Sequence, residues 1–142
     1  MHLGSLSIDQ LQQLRNASQQ EIEYLSHSLA QLQTAVERLQ NSKKCAGEYA
    51  DVSEGNDILV PMTSSVYVPG VIAKNEMVLV DLGTGYYCEK TPAQAEEYFA
   101  RRIKTVKEQI EKANHVLSQK KQQTEAISMV LQRKSQMVGQ AS

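Results

Sequence analysis

The sequence predicts a mostly helical α+β fold, in which a long antiparallel coiled-coil hairpin of two helices flanks two central β-hairpins. Three observations lead to this prediction. The chain of 142 residues contains 16 glutamines, one phenylalanine and no tryptophan, which is typical of long helices rather than of a dense globular core. Apolar residues recur at intervals of three and four in its first and last thirds, and short β-branched runs lie between them. The length is that of one domain.

The first helix is predicted from Ser7 to about Gly47, a length of about 60 Å. Ser7 and Gln10 have the spacing of a capping box, and Leu6 and Leu11 flank them as a hydrophobic staple. Beyond this start, the steps of three and four describe a coiled-coil seam. Its apolar positions are Ile22, Leu25, Leu29, Leu32, Val36 and Leu39.

The second helix is predicted over residues 91–138, about 70 Å if unbroken. Thr91 supplies the N-cap, Pro92 occupies the first helical position, and Gln94 completes a second capping box. The seam is interrupted at Lys120, Thr124 and Lys134. Its apolar positions are Phe99, Ile103, Val106, Ile110, Ala113, Leu117, Ile127, Leu131 and Val138.

Between the helices, turn residues separate four short apolar runs, which predicts two β-hairpins over residues 57–90. The runs are Ile58–Val60, Ser65–Val68, Met77–Val80 and Gly85–Cys88. Residues 48–56 are polar and contain glycine, so we expect a linker there. The whole chain is therefore a single domain in this interpretation.

The matched seams favour an antiparallel return of the second helix on the first. Pairing the helix ends nearest the hairpins sets the register to within about one turn. Arg15 and Ser18 of the first seam then lie opposite Thr124 and Lys120 of the second. Because the polar interruptions coincide, we expect one weak polar layer across the helical hairpin.

The β segment has more apolar surface than this chain can cover. We expect its strands to form a four-stranded sheet whose two open edges can pair with another chain. The consecutive apolar residues Met77–Val80 indicate a strand that needs burial on both faces. An obligate oligomer joined through the β segment follows. The candidate assembly residues are Val60, Val66, Tyr67, Val68, Val78, Val80, Tyr86 and Tyr87.

The two outer helix ends meet at a tip in the antiparallel register, and they carry more apolar residues than two seams require. One interpretation is an extra helix contact, or closure of the tip by Leu6 on Met137. The other is an adaptable, methionine-containing surface for unfolded chains. The candidate client-binding residues are Leu6, Ile8, Leu11, Leu14, Ile127, Met129, Val130, Leu131, Met137 and Val138.

Other classes of function find little support. The net charge of −1 and the dispersed basic residues argue against nucleic-acid or membrane partners. Gly83-Thr84-Gly85 lacks the third glycine and the following helix of a dinucleotide site, and His27 and His115 have no clustered ligands for a metal. We expect neither catalysis nor a cofactor. With two distant cysteines and no leader segment, we expect a soluble cytoplasmic protein, and a nuclear pool stays open.

Two stretches of the β segment are specific enough to indicate a family. Residues 59–70 read LVPMTSSVYVPG and residues 78–90 read VLVDLGTGYYCEK. Both resemble the central hairpins of alpha-type prefoldin subunits, with Met62 and Cys88 as modest, still apolar departures. The resemblance implies a hexamer of two alpha-type and four beta-type subunits, whose hairpins build a β-barrel platform carrying six coiled coils. It also implies an ATP-independent chaperone that holds unfolded actin and tubulin and passes them to the cytosolic chaperonin.

A structural tether is the alternative to a chaperone. In that case the coiled-coil seam would recruit one fixed helical partner instead of many unfolded chains. A nucleotide-binding enzyme is a distant third hypothesis. Suppression of aggregation of chemically unrelated denatured proteins separates the first two, and a nucleotide-binding assay tests the third.

Overall fold

The computed structural model describes residues 2–141, which form two long helices and four short strands. Helix α1 spans Ile8–Ala50 and α2 spans Pro92–Gln140; between them lie β1 (Asp57–Pro61), β2 (Tyr67–Val71), β3 (Val78–Asp81) and β4 (Tyr87–Lys90). A 3-10 turn, Leu3–Ser5, precedes α1. The predicted α+β, mostly helical class is confirmed.

The chain divides into two compact units, and each helix contributes to both. The terminal unit consists of the residues up to Thr34 and those from Lys107 onward. The hairpin unit spans Ala35–Val106 and contains all four strands.

Both helices begin at the predicted capping boxes. The backbone N–H of Ser7 donates to Gln10 Oε1 over 3.0 Å, and the N–H of Gln10 donates to Ser7 Oγ over 3.2 Å. Thr91 and Gln94 repeat the arrangement at 3.1 and 3.2 Å. Each box satisfies two amide groups that the first helical turn leaves without a partner, so the sequence determines both starting points.

The predicted seam positions are buried or half-buried apart from Val138, which is exposed, and the predicted polar layer also needs one correction. Ser18, Lys120 and Thr124 are half-buried, but Arg15 is exposed and does not belong to the layer. A long guanidinium side chain reaches water more cheaply than it can be desolvated in a seam. The seam residues that become buried are Leu11, Ile22 and Val36 on α1, and Ile103, Val106, Leu117, Ile127 and Leu131 on α2.

The helix pairing in the terminal unit agrees with the predicted register to within one turn. Glu21 lies opposite Ser118 in that register, but its carboxylate pairs with Lys120 Nζ at 2.5 Å, two residues further along. The antiparallel arrangement is therefore correct.

The segment expected to be a linker is more ordered than its composition indicates. Helix α1 continues three residues past Gly47. The following residues bind the segment after β2: the N–H of Gly55 donates to the Ile72 carbonyl over 2.7 Å, and the N–H of Ile72 donates to the Asn56 carbonyl over 3.0 Å. Gly55 has a φ of +85°, which a residue with a Cβ rarely adopts, so a glycine suits this turn.

The strands form two separate antiparallel hairpins, as predicted, but not the expected four-stranded sheet. Within residues 2–141, β1 pairs with β2 and β3 pairs with β4, and the two sheets remain two-stranded. Val60 faces Val68 in the first hairpin, and Leu79 faces Glu89 in the second. Since Ile72 binds the residues before β1, the chain after β2 lengthens the first hairpin instead of extending toward the second.

Candidate functional site

One face of the second hairpin packs on the helix ends of the hairpin unit. A base cluster of Ala46, Val80 and Ala95 is buried there. Phe99 packs against this cluster, and its ring meets that of Tyr98 edge to face at a centroid distance of 5.5 Å. The ends of α1 and α2 thus cover β3 from one side.

The base cluster corrects one predicted assembly residue. Val80 is only 4% exposed within this chain, so it belongs to the fold of the subunit. Its neighbour Leu79 is 64% exposed and was missed by the sequence analysis. Successive strand residues point to opposite faces, so burial of Val80 leaves Leu79 on the uncovered face. The alternation of side chains along β3 places Leu79 and Val80 on opposite faces, but it does not indicate which face the helices cover.

The first hairpin is exposed on both faces. Every residue of β1 is exposed, and β2 is exposed apart from Gly70, which is half-buried. The predicted residues Val60, Val66, Tyr67 and Val68 all lie on this surface. Four further exposed apolar residues lie there without having been predicted: Ile58, Leu59, Met62 and Val71.

The second hairpin adds to this apolar surface at its turn and outer face. Tyr86, 72% exposed, and Tyr87, both predicted assembly residues, project there, whereas Val78 is half-buried against the base cluster. We use the name hairpin surface for the exposed apolar residues of both hairpins. An exposed apolar surface of this extent is typical of a protein–protein interface.

At the opposite ends of the helices, the predicted client-binding residues divide into two groups. Leu11, Ile127 and Leu131 form a terminal cluster that is buried inside the terminal unit. They are therefore core residues in this conformation and offer no surface to a client. Three more predicted residues, Leu6, Ile8 and Val130, are half-buried around the cluster, together with Leu3.

The remaining predicted client-binding residues are exposed. Met137 is 71% exposed, and Leu14, Met129 and Val138 are also on the surface. Leu6 packs on the terminal cluster, so the contact with Met137 that one interpretation expected does not close this end. The terminal unit thus combines a small closed core with exposed, flexible methionine side chains.

Electrostatic contacts in the terminal unit concentrate at the polar layer. Lys120 pairs with Glu21, and the hydroxyl of Thr124 donates to the Lys120 carbonyl over 2.9 Å. The hydroxyl of Ser128 in turn donates to the Thr124 carbonyl over 3.0 Å. Hydroxyl bonds of this kind compete with the helix ladder and weaken it locally. The layer therefore interrupts the apolar seam, while α2 continues through it as one helix.

Neither a cluster of metal-ligating side chains nor a membrane-spanning helix is found within residues 2–141. No group of three or more His, Cys, Asp or Glu side chains in this range could hold a metal ion. His27 and His115 are exposed, and each lies beside the glutamine four residues later. Neither helix contains a stretch that is long and apolar enough to cross a bilayer.

Comparisons with known proteins point to one family. Residues 18–137 match the family model described as Prefoldin subunit. The chain is 38% identical over 138 residues to prefoldin subunit 5 of Homo sapiens, covering 97% of this chain and 90% of the relative. It is 41% identical over 134 residues to a probable prefoldin subunit 5 of Dictyostelium discoideum, covering 94% of this chain and 83% of the relative.

A solved structure has the same fold. A chain of the filamentous PFD of Methanocaldococcus jannaschii, determined by cryo-EM, superimposes with a TM-score of 0.71 at 20% sequence identity. The match covers 83% of this chain and 98% of the other.

Proposed function

This chain belongs to the prefoldin family, whose members are subunits of a chaperone complex, and we propose that it is an alpha-type subunit of a hexamer that holds unfolded proteins. The proposed complex contains two alpha-type and four beta-type subunits and works without ATP. Its clients would include actin and tubulin, which it would pass to the cytosolic chaperonin. We propose the cytoplasm as its compartment and leave a nuclear pool open.

The observation that carries the proposed assembly is the hairpin surface. Tyr67, Leu79 and Tyr86 are large apolar or aromatic side chains that stay exposed in the single chain. The two-stranded sheets also leave strand edges that can pair with strands of another subunit. Burial of such residues at about 25 cal/mol per Å² supplies a strong driving force for association.

Client holding draws its support from the terminal unit. Met129 and Met137 are exposed there, and unbranched thioether side chains adapt to apolar segments of many shapes. A single arm of this kind binds weakly, but several arms of one complex can engage one unfolded chain together. Retention then comes from avidity, and no deep pocket or chemical step is needed.

Co-expression with sister prefoldin subunits tests the assembly. We expect the chain to enter a hexamer of defined mass together with its sister subunits, measured by native mass spectrometry. In isolation it should self-associate, because the hairpin surface remains uncovered. A stable monomer at micromolar concentration would contradict the proposed assembly.

Aggregation assays on the purified complex test client holding. We expect suppression for several chemically unrelated denatured proteins, including actin, and no change when ATP is added. Met129→Lys with Met137→Lys should weaken suppression. Val116→Lys should not, because Val116 is an exposed apolar residue of the same helix outside the predicted site. Binding of one helical protein only would favour the tether.

A further inference from the structure

The residues that precede α1 cover the terminal cluster from outside the helix pair. Leu3 and Leu6 both pack against the buried core of Leu11, Ile127 and Leu131. They follow no heptad, since Leu3 lies in the 3-10 turn and Leu6 is extended, with φ −83° and ψ 147°. We use the name N-terminal strap for residues 3–6.

The strap is joined to α1 through the first capping box. The capping box of Ser7 and Gln10 fixes the point where it leaves α1. Before that point, the Lys134 ammonium group of α2 donates a hydrogen bond to the Leu6 carbonyl. The other bonds of the strap are local, such as that from the Ser5 N–H to the His2 carbonyl at 3.0 Å.

The outer side of the strap is open. Gly4 and Ser5 are exposed, and a Cβ placed on Gly4 would meet no atom within 4 Å. Movement of the strap therefore requires separation of two leucine side chains and one lysine bond, while the capping box and both helices stay intact. Segments with so few buried contacts open locally far more often than the fold as a whole.

The strap covers apolar side chains of the kind that an unfolded client would bind. Three of the predicted client-binding residues, Leu11, Ile127 and Leu131, are buried beneath or beside it. The strap contributes two leucine side chains and an accepting backbone carbonyl, and an exposed client segment can present the same chemistry. Lys134 would be free to bind a client carbonyl once the strap has moved.

We propose that the N-terminal strap is an autoinhibitory segment that covers the terminal cluster of this subunit and is displaced by apolar segments of unfolded chains. This inference rests on the proposed client-holding function. The strap keeps the terminal cluster covered while no client is present, which limits self-association through these ends. Client binding and strap closure then compete for the same apolar contacts.

The test is the assembled complex carrying Leu3→Ser and Leu6→Ser, with guanidine-denatured actin as the client. If the strap is closed in about nine of ten subunits, its release raises the apparent affinity of this arm about tenfold. Arms of the other subunits dilute the effect, so the complex concentration that halves aggregation should fall by about twofold to tenfold. Lys134→Met should shift it in the same direction by a smaller factor, whereas Arg133→Met, an exposed neighbour, should leave it unchanged.

Hydrogen exchange without client provides a second readout. In the Leu3→Ser, Leu6→Ser complex, we expect faster amide exchange around Leu11 and unchanged exchange in the hairpin unit. Unchanged exchange around Leu11 would overturn the covering role of the strap. Weaker client holding by the variant would also overturn the proposal, because Leu3 and Leu6 would then be client contacts rather than inhibitors.

The outcomes separate this inference from the proposed function. If the unsubstituted complex holds actin and the variant gains nothing, the strap proposal fails and client holding stands. If only the variant holds actin, both are supported. If neither complex holds actin or other denatured proteins, the proposed function fails and the strap proposal fails with it.

Discussion

The hairpin unit and the terminal unit differ in how far each one covers its own apolar residues. In the hairpin unit, one face of β3 packs on the base cluster, while the first hairpin and the outer face of the second remain uncovered. In the terminal unit, two helix ends and the N-terminal strap bury a small core within one chain. The difference teaches that one chain can leave a large apolar surface uncovered in one unit while it closes a small apolar core in the other with a segment outside the helix pair.

The comparison also explains why the same residue type has different roles. Val80 and Leu79 are adjacent apolar residues of β3, yet one is core and the other is surface. Leu11 and Leu14 lie one helical turn apart on α1, and they show the same division. Whether an apolar residue belongs to the core or to the surface depends on whether a neighbouring element covers it. Its hydrophobicity alone does not determine this.

The largest expected effect is loss of the hairpin-unit fold on Val80→Lys. This residue is buried against Ala46 and Ala95, so the substitution leaves an unpaired charge in a small core, at a cost of about 3–5 kcal/mol. That cost is a large fraction of the stability of an ordinary domain. Far-UV circular dichroism and thermal unfolding of the co-expressed complex would show the loss. Normal unfolding behaviour would mean that the base cluster is not closed.

The matched substitution Leu79→Lys should abolish assembly and leave the subunit folded. Leu79 is exposed and faces Glu89 across the ladder, so the new ammonium group gains an opposite charge within the chain. It also places a charge on the hairpin surface, where a sister subunit would have to bury it. Size-exclusion chromatography with light scattering measures the outcome. A variant that still enters the hexamer would remove Leu79 from the interface.

Much of this organisation could be predicted from sequence because local chemistry determines it. The capping boxes at Ser7 and Thr91 set the helix starts, and steps of three and four set the seams. The two hairpins followed from apolar runs between turns, and Gly83 and Gly85 indeed adopt positive φ values in the second turn. These signals lie within a few residues of the features that they determine.

The features that sequence missed depend on contacts between distant segments. The backbone bond from Ile72 to Asn56, which continues the first hairpin beyond its strands, is indicated by no periodicity. The choice between Val80 and Leu79 depends on where the helix ends lie, because both faces of β3 are apolar. The packing of Leu3 on the terminal cluster is a further example, because Leu3 belongs to no repeat.

The next largest effect is expected from removing the outer part of the terminal unit. A subunit that lacks the residues before Gln19 and those after Gln119 should still assemble, because Ile22 to Leu39 and Phe99 to Leu117 keep more than two heptads of paired seam. It should lose client holding at its own arm and weaken it only partly in the complex. Aggregation assays beside the full-length complex measure this. Undiminished holding would place the client surface outside the terminal unit.

The smallest expected effect is a gain in stability from filling the polar layer with Lys120→Leu. The half-buried lysine occupies a seam position, so a leucine there adds apolar burial worth about 1 kcal/mol. The ion pair with Glu21 that this substitution removes is partly exposed and worth about 0.2–1 kcal/mol. The gain in apolar burial therefore slightly exceeds the loss of the ion pair.

Hydrogen exchange resolves such a small difference better than thermal unfolding. In the unsubstituted complex, we expect the fastest exchange within the two helices at Ser18 and from Lys120 to Thr124, since buried apolar contacts are few there. Lys120→Leu should slow exchange at this layer. Lys121→Leu, the same substitution at an exposed neighbour, should not. Equal behaviour of the two variants, or uniform protection along both helices, would show that the layer does not separate the terminal cluster from the rest of the seam.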